Sequence, residues 1–348
     1  MGFSVNQSKV TTSFLGILVL IALGFVFYYL SSILKPFFVA VFLSILLDPL
    51  LEMLRKIKIP KGIALVIVLL LTFVFLFLLG LIVYASFTSF SDELPKYEAK
   101  FSVMFQNILG WFNIPLQDLN VYLHNFNWQR AITGLSLPSY ISSGIGSFLQ
   151  FLANVLIVLL FMIYILLGRD SFYDRIRRAF ESRGADRVMV TVKNINDQIQ
   201  NYLIVKTVIS LITGILATVV LLAFGVDFAV VWGMLTFLLN FIPNIGSTIA
   251  TIPPILLALL QFDSFMRPLW VTISLITIQM TMGNFVEPKF LGKRLDLSPL
   301  VVILFLIFWG YLWGIVGMIL AVPIAATIRI VTQNIKPLRP ISVFMSGG

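Results

Sequence analysis

Long apolar runs separated by short polar stretches dominate the chain. The first run extends from about Thr12 to Leu34, and the Lys35-Pro36 pair that follows predicts a break before a second span at 37–54. A helix that crosses the hydrocarbon core needs about 20 apolar residues. The runs are continuous, whereas the strands of a membrane barrel alternate apolar and polar positions. The pattern therefore predicts an all-α polytopic membrane protein that begins with a tight helical hairpin.

Further apolar runs bring the expected number of membrane segments to about eight, at 62–85, 144–167, 202–224, 228–261, 268–282 and 300–331. Two amphipathic helices are expected outside the bilayer. One is external, within 86–143, where apolar residues recur at three- and four-residue spacing over 101–112. The other is cytoplasmic, within 168–201, with Val188, Val192, Ile195 and Ile199 on one face.

Basic loops predict the orientation of this single transmembrane domain. The stretches 55–61 and 168–187 are rich in lysine and arginine, which are enriched in cytoplasmic loops. Both chain ends are then cytoplasmic. We divide the domain into three N-terminal spans (12–85), the external segment (86–143), spans four and five with the cytoplasmic segment (144–224), and a core with broken helices (225–333).

Composition supports a membrane protein and excludes several kinds of chemistry. Hydrophobic residues make up 59% of the chain and charged residues 11%, against roughly 25% charged in soluble domains. The net charge of +9 lies in loops beside membrane segments, so we expect no nucleic-acid partner. Cysteine is absent and His124, in the external segment, is the one histidine. We therefore expect no enzyme, no catalytic residues, no metal site and no cofactor.

The stretch FIPNIGSTIATIPPILLALL predicts two half-length helices joined by a turn at Pro243–Ser247. Irregular backbone at membrane depth is tolerated only where protein or a water-filled cavity surrounds it, and transporters use such breaks to bind ions or polar solutes. Asp227 precedes this region and is expected at the outer interface. Residues expected to break or hinge helices throughout the core are Pro243, Gly246, Pro253, Pro254, Gly283, Pro288 and Pro323.

Polar side chains near this turn form the first candidate site. Asn240, Asn244, Ser247 and Thr248 either satisfy the broken backbone or coordinate a polyol or Na⁺ in a cavity. Gln279 and Asn284, on the following span, either line the same cavity or form hydrogen bonds between helices.

The stretch GNFVEPKFLGKRLDLSPL, residues 283–300, contributes the last candidate. A carboxylate at membrane depth, such as that of Glu287, is costly and usually functional, so a gating or coupling role stands beside a salt bridge to Lys289, Lys293 or Arg294. Asp296 or Ser298 is expected to cap the next helix. That last apolar run contains Gly310, Gly314, Gly317 and Pro323, and predicts either a kinked helix or a hairpin.

Three segments of the C-terminal third resemble the autoinducer-2 exporter-like permease family: PNIGSTIATIPP, VEPKFLGKRLDLSP and WGIVGMILAVPIAA. Their order and spacing match that family between residues 243 and 326. The resemblance implies about eight membrane segments in a bacterial inner membrane. It also implies export of a small polar solute, with autoinducer-2 (AI-2) linked to some members and sodium–proton exchange to others.

The first function hypothesis is therefore a secondary transporter, because the chain lacks the Walker A pattern of an ATP-driven pump. The expected partners are a small polar solute or Na⁺/H⁺, and the lipid bilayer. A homo-oligomer is also expected, since the external amphipathic helix needs a surface to cover. The alternatives are a cation/proton antiporter of the same family and a membrane scaffold that binds partners through 168–201. An intramembrane enzyme is disfavoured because the one histidine lies outside the predicted spans.

Overall fold

A computed structural model describes residues 7–111, 144–179, 182–242, 245–291 and 297–347. These residues form twelve α-helices and no strand longer than an isolated bridge. The first half contains α1 (Gln7–Tyr29), α2 (Ser31–Lys56), α3 (Lys61–Trp111), α4 (Gly144–Ala179), α5 (Ser182–Phe224) and α6 (Ala229–Leu239). The second half contains α7 (Ile245–Gln261), α8 (Met266–Thr281), α9 (Glu287–Leu291), α10 (Pro299–Trp313), α11 (Ile315–Asn334) and α12 (Arg339–Phe344).

Six of the described helices contain stretches long and apolar enough to cross a membrane: Ser31–Lys56, Lys61–Ala85, Phe148–Arg169, Val188–Phe224, Met266–Phe290 and Ile315–Asn334. The apolar helices α6, α7 and α10 are shorter. Large apolar side chains such as Leu70 and Ile307 are exposed on the outside of the bundle, where a water-soluble protein would expose few. The predicted fold class, an all-α polytopic membrane protein, is confirmed.

The first helical break differs from the sequence prediction. It lies at Leu30, between α1 and α2, and Lys35 and Pro36 are inside α2. Proline removes one backbone donor, and in the second turn of a helix this costs a hydrogen bond without ending the helix. Pro49 is likewise inside α2. A single turn residue thus separates the two helices, five residues earlier than predicted, and the antiparallel pairing of the two spans stays a prediction.

Two helices run beyond the predicted ends of their membrane spans. The backbone of α3 stays helical from Lys61 to Trp111, and α5 is continuous across the predicted boundary at residue 201. A fall in hydropathy marks where a helix leaves the apolar layer, but charged and polar residues remain good helix formers. The apolar side chains predicted over 101–112, the rest of the 86–143 segment beyond Trp111, and His124 lie outside the described residues.

The predicted break in 228–261 is present, because α6 ends at Leu239 and α7 begins at Ile245. Pro243 and Asn244, in the turn itself, lie outside the described residues. Gly246 is required at the start of α7, since a Cβ there would overlap the carbonyl oxygen of Leu239. The prediction fails at Pro253 and Pro254, because α7 continues through both.

The last apolar run is a hairpin, which resolves the two alternatives. Gly314 separates α10 from α11 with φ 66° and ψ −143°, a conformation open only to glycine. Gly317 lets the two helices approach, because a Cβ there would overlap the carbonyl oxygen of Trp309. Pro323 does not break the chain and lies inside α11, as Pro288 lies inside α9.

Helix α5 is the centre of the bundle and packs against α2, α4, α6, α8, α9 and α11. Toward one end, its residues Ala217 and Leu221 join a core with α6, α7 and α8. Toward the other end, Ile199 and Leu203 pack against α2 and α11. We call these the Asp227 end and the Arg169 end, after the polar residues described below. Of the predicted apolar face of 168–201, Ile195 and Ile199 thus pack inside the bundle.

The close contact at Gly317 generates a stability prediction. Gly317→Ala should lower the free energy of unfolding by about 1–3 kcal/mol, because the added methyl group must push α10 away from α11. Thermal unfolding of the purified protein in detergent measures the change. The control is Gly62→Ala, since a Cβ at Gly62 meets no atom within 4 Å. Equal melting temperatures for the two variants would contradict the close packing of this hairpin.

Candidate functional site

A line of polar residues runs along the buried face of α5. Lys206, Ser210 and Thr213 are spaced by four and three residues, so they share one face of the helix. All three are buried, and Ser210 and Thr213 have no exposed surface. Thr213 donates to its own helix at Ile209, which leaves Lys206 and Ser210 to contact other helices.

Lys206 forms an ion pair with Glu287. Its Nζ lies 2.5 Å from Oε1 of the carboxylate, and the two side chains are 3% and 24% exposed. A buried ammonium without a partner is strongly unfavourable, so the carboxylate compensates most of the desolvation cost. α5 ends at Phe224, 18 residues beyond Lys206, which places Lys206 about 27 Å from that end. The distance from Lys206 to this end of α5 is thus close to the thickness of a hydrocarbon layer, about 30 Å.

A π-helical turn at Met282–Val286 leads directly into Glu287, the first residue of α9. Such turns are rare and frequently occur at functional sites. The predicted hinge Gly283 lies in this turn, where a Cβ would meet no neighbouring atom. Of the cations that the sequence proposed for Glu287, Lys289 is exposed, and Lys293 and Arg294 lie outside the described residues.

Sequence reasoning missed Lys206, although a signal was available. It is the single charged residue in the run 202–224. The other residues of this run are apolar, apart from one tyrosine, one serine, three threonines and one glycine. An ionisable residue within a membrane helix is a candidate functional residue by default. The identity of its partner was not accessible, because Glu287 is 81 positions away in the sequence.

Asn240, at the end of α6, reaches the same face of α5. Its Nδ2 donates to Oγ of Ser210 over 3.0 Å, and the asparagine is 9% exposed. Ser210 is one helical turn from Lys206, so the structure brings Asn240 and Glu287 to neighbouring positions along α5. The site combines a cation, a carboxylate, a hydroxyl and an amide beside the broken helix.

The other predicted site residues that the structure describes lie on α7, on α8, in the π-helical turn and at the start of α10. Ser247 and Thr248 are in the first turn of α7, and the backbone oxygen of Ser247 accepts from Thr251. Gln279 is half-buried on α8, whereas Asn284 is exposed in the π-helical turn. Asn244 lies outside the described residues. Ser298 occupies the N-cap position of α10 without a side-chain capping bond, and Asp296 lies outside the described residues.

A second polar network joins three helices at the Arg169 end. Arg169, on α4, contacts Asp48 of α2 through Nη1 and Glu52 through Nη2, the latter at 3.1 Å. Gln200, on α5, donates to Asp48 and to the carbonyl oxygen of Ile45, both at 3.2 Å. Asp48 is buried, and its carboxylate is held by partners from two other helices.

A third network closes the Asp227 end. The hydroxyl of Tyr97, on the extension of α3, donates to Asp227 over 2.5 Å, and Glu93 lies 3.3 Å from the same oxygen. The pKa of the Tyr97 phenol is raised well above its usual value. Burial is the largest cause, and the two neighbouring carboxylates add to it. Gln261 accepts from the backbone N–H of Asp227 and donates to the carbonyl oxygen of Gly225. Lys100 donates to the carbonyl oxygen of Gln261 over 2.8 Å.

A groove of about 260 Å³ lies between α3, α5 and α6. Its lining is almost wholly apolar and includes Phe75, Leu211, Met234 and Phe237. It offers no charged group to a polar solute. Across the described ranges, no three acidic or histidine side chains are placed to hold a metal ion.

The unequal burial of the ion pair predicts unequal effects of removing each partner. Glu287→Gln should lower the free energy of unfolding by roughly 3 kcal/mol, because it leaves the deeply buried Lys206 without its carboxylate. Lys206→Met should cost less, since Glu287 retains some contact with solvent. The double variant should recover most of the loss. Thermal unfolding of all three variants in detergent measures these changes. A loss in the double variant equal to the sum of the two single losses would contradict a coupled pair.

Tyr97→Phe should lower the free energy of unfolding by about 1–2 kcal/mol at neutral pH, since it removes a hydrogen bond to a carboxylate. The raised pKa means that folding favours the neutral phenol. This stabilisation is complete below pH 10, the usual tyrosine pKa, and is lost as pH rises toward the raised value. The stability difference between wild type and variant should therefore shrink above about pH 10. Tyr311→Phe is the control, because Tyr311 is exposed; a constant difference would contradict this assignment.

Comparison with known proteins matches almost the whole chain to one family. Residues 15–336 match the sequence model described as "AI-2E family transporter". The "AI-2 transport protein TqsA" of Escherichia coli is 34% identical over 337 residues, which cover 95% of this chain and 94% of that protein. A "Putative transport protein" of Borreliella burgdorferi is 32% identical over 332 residues, covering 95% and 89%. The chain therefore belongs to the AI-2E family of transporters.

Proposed function

We propose that this chain is a secondary transporter that exports a small polar solute across a bacterial cytoplasmic membrane. The observation that carries the proposal is the polar site on α5, where Lys206–Glu287 and Ser210–Asn240 lie one turn apart beside a broken helix. Polar residues inside membrane helices are costly and usually mark a solute or ion pathway.

The chemistry of the site favours a solute with several hydroxyl or carbonyl groups. Lys206 and Asn240 supply donors, Glu287 supplies an acceptor, and Ser210 supplies both. The hydroxyl of Thr207, beside Lys206 in the sequence, is buried and has no hydrogen-bond partner among the described residues. It offers further bonding capacity. Additional contacts are proposed from Asn244, Ser247, Thr248, Gln279 and Asn284.

AI-2 is the first solute to test, because the E. coli relative is named an AI-2 transport protein. The proposed export and orientation are supported by the family resemblance and the basic loops. In this orientation the Arg169 end faces the cytoplasm and the Asp227 end faces outward. The networks at the two ends join separate helices, so each is a candidate gate that opens while the other stays closed.

Asn240→Ala should reduce AI-2 flux about five- to tenfold, the equivalent of one lost hydrogen bond at the site. The measurement is flux of labelled AI-2 across liposomes that hold the purified full chain, with and without an imposed proton or sodium gradient. Asn194→Ala is the matched control, since Asn194 is exposed on α5. Thermal unfolding of each variant separates loss of transport from loss of folding.

Three outcomes would contradict the proposal at different points. Wild-type flux in a folded Asn240→Ala variant would remove Asn240 from the solute site. Absence of AI-2 flux in the wild-type protein, in liposomes where its folding is verified, would overturn AI-2 as the solute. Solute accumulation inside vesicles of right-side-out orientation would contradict export.

A further inference from the structure

The polypeptide that follows α11 lies where a bilayer surface must be. α11 is long and apolar enough to cross a membrane and ends at Asn334. A 3₁₀ turn, Lys336–Leu338, and the short helix α12 follow at once. We call Lys336–Phe344 the docking segment. Since only Ile335 separates it from α11, the segment cannot leave the membrane boundary.

The docking segment has a buried face toward the protein and an apolar face away from it. Ser342, and Met345 just after the segment, are 6% exposed, and α12 packs against α11. Ile341, Val343 and Phe344 point the other way, and Phe344 is 85% exposed. In water this face would be unfavourable, whereas apolar and aromatic side chains are typical of helices that lie in a membrane interface.

The charges on the segment indicate the kind of lipid. Lys336 and Arg339 are both exposed, and residues 335–348 contain no acidic side chain. Basic residues beside an apolar face are attracted to anionic headgroups, which lie just above the acyl chains.

We propose that the docking segment binds an anionic bilayer surface. Val343 and Phe344 insert at the boundary of the acyl chains, and Lys336 and Arg339 contact the headgroups. This binding also holds the start of α10. The backbone N–H of Ser298 donates to the carbonyl oxygen of Met345 over 2.9 Å, and Leu297 forms an antiparallel bridge with Ser346.

The absence of native cysteine allows one fluorescent label per chain. Phe344→Cys carries an environment-sensitive dye in the full-length protein, in nanodiscs of either phosphatidylglycerol or phosphatidylcholine. Nitroxide attached to the lipids should quench this dye strongly in the anionic discs. Adding Lys336→Gln and Arg339→Gln should lower the ratio of docked to undocked segment roughly tenfold or more. Asn194→Cys, on an exposed position of α5, is the control and should remain accessible to an aqueous quencher.

Three results would overturn the proposal. The dye at position 344 could be as accessible to the aqueous quencher as the dye at position 194. It could be shielded from water yet insensitive to lipid nitroxide, which would indicate protein, such as a second copy of the chain, on this face. Equal lipid quenching in both kinds of disc, unchanged by the charge substitutions, would exclude recognition of anionic lipid. None of these readouts depends on transport.

Discussion

The buried ammonium group of Lys206 constrains the arrangement of the helices around it. An uncompensated charge at this depth would cost several kcal/mol, so a carboxylate must be held against it. Glu287 can reach this position because α8 runs along α5 and the π-helical turn then leads into α9. The pair thus links the central helix of the bundle to the stretch 283–300. A change in the position of either partner must move both elements or separate the charges.

The need to satisfy backbone hydrogen bonds in lipid explains where the helices break. Asn240, Phe241 and Ile242, at the described start of the α6–α7 break, are buried, and α7 packs on α3 and α8, so this part of the break is covered by protein. Glycine permits the close approaches that this arrangement requires. Gly246 contacts the end of α6, and Gly233 lies so close to α5 that a Cβ would overlap Thr218. These contacts hold Asn240 beside Ser210.

Polar networks connect separate helices at the two ends of the bundle. The Arg169 network joins α2, α4 and α5, whereas the Tyr97 network joins the extension of α3 to the α5–α6 connection and to the last residue of α7. Each consists of side-chain contacts between separate helices, which can form and break without unfolding any helix. Lys206 is buried, whereas Glu52 and Asp263, which lies 3.7 Å from Lys100, are the exposed acids of the two end networks.

The sequence by itself determined the helical membrane fold and the break before α7, and it singled out Glu287 as an acid near lipid that needs a partner. These follow from local quantities, namely the length of apolar runs, proline and glycine positions, and the cost of an acid near lipid. It misplaced the first turn and the ends of α3 and α5, since hydropathy reports the membrane boundary rather than the end of a helix. Only the tertiary structure decided that Glu287 pairs with Lys206, that Asn240 contacts Ser210, and that α10 and α11 form a hairpin. Those contacts join residues far apart in sequence, and their partners are selected by how the helices pack.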